Sequence, residues 1–149
     1  MKLPITSGKD NPILRTPSAP VPKVTKKILK LLRDMEETMF AEEGVGIAAP
    51  QVGVNLHMAL MLLNNKQVVA ILNPKIIAHS EEMNEGEEGC LSLRADWGKL
   101  DRWNEVTIQF MNVKGETVTL KLSDFNARVA QHETDHLNGV LFVDHVKVI

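Results

Sequence analysis

The chain has one cysteine, Cys90, in 149 residues, no excess of charge of either sign and no long apolar run. A lone cysteine excludes an internal disulfide framework and suits a reducing compartment, so the cytoplasm is the expected location. Lysine and arginine number 17 against 19 aspartates and glutamates. That balance offers no basic surface for nucleic acid and no charge run for a membrane surface. The longest apolar stretch, Met58 to Leu63, falls far short of the roughly 20 residues a membrane-spanning helix needs. The N-terminal residues Met1 to Asp10 carry neither an apolar signal core nor the Arg-rich character of an organelle presequence. With no internal repeat, low-complexity tract or linker, residues 1–149 read as a single domain long enough to bury a sizeable core.

What the chain does have is Gln131-His132-Glu133-Thr134-Asp135-His136-Leu137-Asn138-Gly139. Residues at i and i+4 lie one above the other on a helix, so His132 and His136 can point both imidazoles at one ion. Glu133, next to the first histidine, can then serve as a general base toward water at that ion. Two ligands do not complete a catalytic centre of the zinc type, which takes three protein ligands and an open position.

Counting tests the familiar sources of a third ligand. A histidine six residues after His136 would complete one class, but that position is Phe142. A glutamate from a later helix would complete another, but none lies beyond His136; only Asp144 and His145 remain, beside a short apolar run. The ligand is therefore expected upstream, and Cys90 is the outstanding choice. Its flanking glycine and acidic residues argue against simple burial in an apolar strand, and a thiolate with two imidazoles suits Fe(II), Zn(II), Co(II) or Ni(II).

Residues 1–24, with Pro4, Pro12, Pro17, Pro20 and Pro22, read as an extended, wrapping segment. Ile28, Leu31, Leu32, Met35 and Met39 recur at helical spacing and predict a helix from about Thr25 to Glu43, with Gly44 as its stop. Strands are expected over His57–Leu63 and Gln67–Ile77, the second fraying or lying at a sheet edge near Pro74. His57 and His79 read as structural or solvated. Glu81–Glu88 reads as a solvated acidic loop and Arg94–Asn104 as an irregular loop. A second hairpin is expected around Lys114-Gly115, where Val106, Ile108 and Phe110 and then Val118, Leu120 and Leu122 alternate. Ser123 is placed to cap the last helix, and Phe125, Val129, His132 and His136 form a stripe along it. Gly139 ends that helix, and Val140–Val143 reads as a closing strand. The expected fold is α+β, with antiparallel sheets packed around a central C-terminal helix carrying His-Glu-x-x-His, and one N-terminal helix.

Three blocks, Gly44-Val45-Gly46-Ile47-Ala48-Ala49-Pro50-Gln51, Glu88-Gly89-Cys90-Leu91-Ser92 and Gln131-His132-Glu133-Thr134-Asp135-His136-Leu137, together resemble the peptide deformylase family in order and spacing. Asn11-Pro12-Ile13-Leu14-Arg15 and the run through Phe142 extend the resemblance over nearly the whole chain. It implies a metal-dependent hydrolase that removes the formyl group from formyl-methionine at the start of nascent polypeptides, near the ribosome exit. Cys90, His132 and His136 would hold one divalent ion, with Fe(II) the usual physiological metal. Water activated there would attack the formyl carbon, with Glu133 as general base and then acid. The Gln51 amide and the Leu91 backbone N–H would stabilise the oxyanion. Val45, Leu93, Phe125 and Val129 would form the methionine pocket, Gly46 would bind substrate through its backbone, and Arg102 would be a further substrate contact. A monomer is the default assembly.

The chain departs from the family's pattern after Ser92, where Leu93-Arg94-Ala95-Asp96-Trp97 replaces an aliphatic residue followed by proline. Ile47 stands where leucine is more usual, and the C-terminal helix that many bacterial members add is not seen after the last expected strand. A related metal-dependent amide hydrolase of different acyl or peptide specificity is the alternative that the altered loop motivates. A non-catalytic binding protein on the same fold is the third reading.

Overall fold

A computed structural model describes residues 1–147, so the last two positions of the expected 1–149 domain lie outside the described residues. The N-terminal segment contains a one-turn helix, α1 (Pro12–Arg15), whose cap is Asn11 with its side chain accepting from the Ile13 N–H. Helix α2 (Lys26–Ala41) starts where the sequence places it: the Thr25 hydroxyl accepts from the Ile28 N–H at 3.2 Å. Its end differs in detail from the expectation. Glu43, not Gly44, takes the left-handed conformation (φ 59°), and the Gly44 N–H closes the turn on Met39 O at 2.9 Å.

Five strands form one antiparallel sheet in the order β1-β2-β3-β6-β7: β1 (Gly46–Ala48), β2 (Met58–Leu62), β3 (Val68–His79), β6 (Glu105–Met111) and β7 (Thr117–Ser123). Side chains alternate across a strand, so this sheet buries both faces against different partners. Ala59, Met61, Ile71, Val106, Ile108 and Leu122 pack against helix α3 (Asp124–Leu137). Met58, Leu60 and Leu72 pack against Leu32, Met35 and Met39 of α2 on the other face. Pro74 marks no frayed end: β3 is an interior strand, and Pro74 falls where pairing with β2 stops and the register with β6 shifts. His57 and His79 are structural, the first bridging Ser18 and Pro74 O, the second stacked on Trp103.

The regions read as loops on either side of Cys90 are a second sheet. Strands β4 (Met83–Glu88) and β5 (Gly98–Trp103) pair antiparallel in unbroken register from Met83↔Trp103 to Glu88↔Gly98. Gln131 clamps α3 to this hairpin, exchanging two hydrogen bonds of 2.9 Å with the Trp103 backbone. Val140–Val143 is not a strand. The chain turns through a short 3-10 helix at Phe142–Asp144, with the Leu141 N–H bonded to the Asp144 carboxylate and Phe142 buried beside Leu14, Leu100 and Leu141. Among the described residues no helix is long and apolar enough to cross a membrane.

The N-terminal segment wraps as expected and touches each of the three motif blocks. The Thr6 N–H bonds Gln51 O at 2.7 Å, Gly8 N–H bonds Ser92 O at 3.0 Å, and Ser18 N–H bonds Leu137 O at 2.9 Å. Gly139 terminates α3 at φ 77°, pressed against Arg15, where an added Cβ would stand 2.8 Å from the Arg15 carbonyl carbon. Gly139→Ala is therefore expected to destabilise the fold by about 1–3 kcal/mol through backbone strain alone, read as a lower urea midpoint with an unchanged slope.

Candidate metal centre and active site

Helix α3 carries His132, Glu133 and His136 into the interior, where Glu133 is 3% and His136 1% exposed. The two Nε2 atoms lie 3.2 Å apart, and Cys90 Sγ is 3.3 Å from His136 Nε2. All three donor atoms fall within 4.8 Å of one another. Tetrahedral coordination with metal–nitrogen bonds of about 2.0–2.1 Å and metal–sulfur bonds of about 2.3 Å sets neighbouring donors roughly 3.3–3.5 Å apart. The His132–His136 and Cys90–His136 spacings come close to those values, and the one-sulfur, two-nitrogen donor set suits a divalent transition metal.

The electrostatics agree. His132 donates from Nδ1 to Glu88 Oε1 at 2.9 Å, which fixes the ring's tautomer and turns Nε2 toward Cys90 and His136. Burial by itself would lower the pKa of His132, but hydrogen bonds with Cys90 and Glu88 outweigh it and push the ring up to about 10. Burial and the adjacent charge of His132 hold His136 well below the usual histidine range. The surroundings thus favour one positive charge between two rings that cannot both be protonated, and a cation shared by both nitrogens meets that demand.

Glu88 is the side chain on which this arrangement rests. Its two oxygens take four donors: Arg102 Nε and Nη2, each at 2.9 Å, Arg128 Nη1 at 2.6 Å, and His132 Nδ1. Burial would raise its pKa, but the hydrogen bonds from His132 and Arg102 hold the carboxyl well below the usual range. Arg102 also donates to Asp135 at 2.6 Å.

Glu133 stands in a different environment. Burial pushes its pKa up to about 7, the field of His132 opposing, and its Oε1 is buried with no protein partner among the described residues. It faces a cavity of about 490 Å³ between α3, β1 and the end of β4. The approach is close: a Cβ on Gly46 would stand 2.8 Å from the Glu133 carboxyl carbon. Gln51 performs two tasks. Its Oε1 accepts from the Ala48 N–H at 2.9 Å, which orients the amide so that Nε2 points to Ser92 Oγ (3.2 Å) and Cys90 Sγ (3.5 Å).

Of the residues singled out from the sequence, Val45, Gly46, Gln51, Cys90, Leu91, Phe125, Val129, His132 and Glu133 line this one cavity, with His136 directly behind Cys90. Two do not belong to it. Leu93 turns away and is buried with Leu14, Leu100 and Phe142, so it supports the loop and forms no pocket wall. Arg102 is buried in its ion pairs with Glu88 and Asp135 and does not line the cavity. Sequence reasoning missed Glu88, read as part of a solvated loop, and Arg128, a charged residue in the apolar stripe of α3. That misplaced charge was the one available signal. The unusual loop after Ser92 contributes Arg94, paired with Glu42, and Trp97, which packs over Gly89 at the rim.

Residues 3–149 match the family described as polypeptide deformylase. A peptide deformylase of Pseudothermotoga lettingae is 45% identical over 134 residues, covering 90% of this chain and 77% of that protein. The crystal structure of peptide deformylase from Thermotoga maritima superposes with a TM-score of 0.95 at 38% identity, covering 99% of each chain. The class I type b peptide deformylase of Acinetobacter baumannii with bound Met-Ala-Ser superposes with a TM-score of 0.92 at 34% identity, covering 98% of this chain and 99% of that one.

If the three donors act as one site, Cys90→Ala or His132→Ala should reduce divalent metal retained after dialysis from about one ion per chain to a small fraction of that. Elemental analysis of protein prepared without oxygen, alongside circular dichroism to check the fold, makes the comparison.

Proposed function

This chain belongs to the peptide deformylase family, and we propose that it hydrolyses the formyl amide of N-formylmethionine at the start of nascent polypeptides, releasing formate. The observation that carries this reading is the convergence, on one cavity, of a Cys-His-His donor set, a buried glutamate and an oriented amide donor. Cys90, His132 and His136 would hold one divalent ion, which would supply Lewis-acid polarisation and water activation. Glu133 takes the proton of the attacking water and returns it to the nitrogen of the methionine as the C–N bond breaks. The Gln51 Nε2 and the Leu91 backbone N–H stabilise the negative charge that develops on the formyl oxygen. Gln51 suits the task because its carbonyl is already occupied by Ala48, so its NH₂ group does not need to reorganise during the reaction.

Val45, Phe125 and Val129 bound the space for the methionine side chain, and the Gly46 backbone lies where an extended substrate can pair with it. Fe(II) is the physiological metal in this reading because membership of the family implies it; the thiolate and two imidazoles accommodate it, and Zn(II), Ni(II) and Co(II) fit the same donors. A thiolate ligand that must stay reduced supports a cytoplasmic setting, and a nascent-chain substrate supports action near the ribosome exit. A monomer, with residues 1–149 as its single domain, is the assembly taken in this reading. The altered loop, with Arg94 and Trp97 at the rim, is what favours asking whether another acyl group is taken instead.

Anaerobic turnover of formyl-Met-Ala-Ser beside acetyl-Met-Ala-Ser decides between them. Formate release from the first, with the second cleaved far more slowly, is the expected outcome; no formate would overturn the reading. Glu133→Ala should keep its metal and lose about 10²–10⁴-fold in kcat, whereas a non-catalytic binding protein would show no change in any assay.

A further inference from the structure

Arg128 lines the cavity yet has no part in the reaction described above. It stands on α3 one turn before His132, 8% exposed, on the wall that also holds Phe125 and Val129. A charge in an apolar wall persists only if it is paired. Its Nη1 donates to Glu88 Oε2 at 2.6 Å, and its Nη2 to the Asn84 carbonyl and side-chain oxygens at 3.0 and 2.7 Å. With the head tied down in this way, the methylene stem is the part left to face the cavity. The opposite strand makes room for the head at Gly86, where a Cβ would stand 2.8 Å from Arg128 Cζ.

Glu88 is thereby clamped from two sides. Arg102 holds both oxygens from the side of Asp135, and Arg128 holds Oε2 from the side of the cavity. Oε1, which also accepts from Arg102 Nη2, receives His132 Nδ1. We propose that Arg128 is a positioning residue for the metal centre: from the substrate-cavity wall it fixes the Glu88 carboxylate, and through Glu88 the ring of His132. The role rests on the reading of Cys90, His132 and His136 as metal ligands, and it couples the methionine pocket and the metal site through one buried side chain.

The test uses the full chain loaded with Co(II). Arg128→Met keeps an unbranched apolar stem and removes the head. It should release Co(II) to a chelator about tenfold faster than wild type and lower kcat for formyl-Met-Ala-Ser by a similar factor, as outer-shell changes at metal sites do. KM should stay within about twofold because the cavity wall is conserved, and Arg128→Lys should recover part of the loss. In a Glu88→Gln background Arg128→Met should add little further release, since the two substitutions cut one chain of contacts. An unchanged release rate in Arg128→Met, or independent effects of the two substitutions, overturns the proposal. Should Arg128→Met not fold by circular dichroism, Asn84→Ala carries the test, loosening the guanidinium while leaving it in place. A few-fold faster release then supports the role, and an unchanged rate refutes it. If the release rates behave as expected while wild type frees no formate, the deformylase reading fails and the positioning role stands.

Discussion

Helix α3 is enclosed by sheet on one side and by the β4–β5 hairpin on the other, yet its C-terminal half carries a buried carboxylate and two imidazoles. Ionisable groups out of water must be paired or neutral, since the penalty for an unpaired charge is several kcal/mol after relaxation. The structure answers with a closed set. Glu88 and Asp135 are opposed by Arg102 and Arg128, all joined by hydrogen bonds of 2.6–2.9 Å. The four charges balance among themselves, and His132 joins them as an Nδ1–H donor to Glu88, which leaves Nε2 for the cluster with Cys90 and His136. The direction in which the His132 ring presents Nε2 depends on the four charges behind it being complete.

Delivering Glu88 and Cys90 to that place is the work of the hairpin and the N-terminal segment. The five-stranded sheet with its two helices holds most of the apolar core. Strand β4 is different: it buries one residue, Glu88, and ends there, placing Cys90 beside α3. The N-terminal segment then bonds to residues 51, 92 and 137, one in or beside each motif block. Elements that pack for stability and elements that locate chemistry are therefore largely separate. Gln131 joins them by docking α3 onto β5.

This separation explains which parts could be read in advance. The His132–His136 pair is legible because helical periodicity is local, and the β2–β3 and β6–β7 hairpins are legible because each strand alternates against one core. Cys90 was reachable by excluding every downstream donor. Strands β4 and β5 gave no such pattern, because each has few buried positions and charges on both sides of them. Glu88 looks solvated in sequence because its partners lie 14, 40 and 44 residues away. Leu93 shows the converse. The family resemblance put it in a pocket wall, but a matching position does not set the direction of a side chain, and the third apolar cluster claims it. The apolar run at Val140–Val143 reads as a strand, while the Asp144 carboxylate, bonded to Arg15 and to the Leu141 N–H, closes it into a turn.

Two absent side chains complete the arrangement. The segments that face α3 from opposite sides of the cavity each carry a glycine where a charged residue of the helix arrives: Gly46 against Glu133, and Gly86 against Arg128. At either position a Cβ would come within 2.8 Å of the charged group's central carbon. It would displace a carboxylate meant to reach water, or a guanidinium meant to reach Glu88, before it crowded any apolar contact. Neither glycine has a positive φ, so neither is required by backbone conformation. What requires them is the room that two buried side chains need, Glu133 at the cavity and Arg128 reaching for Glu88, so their identity belongs to the candidate site more than to the fold.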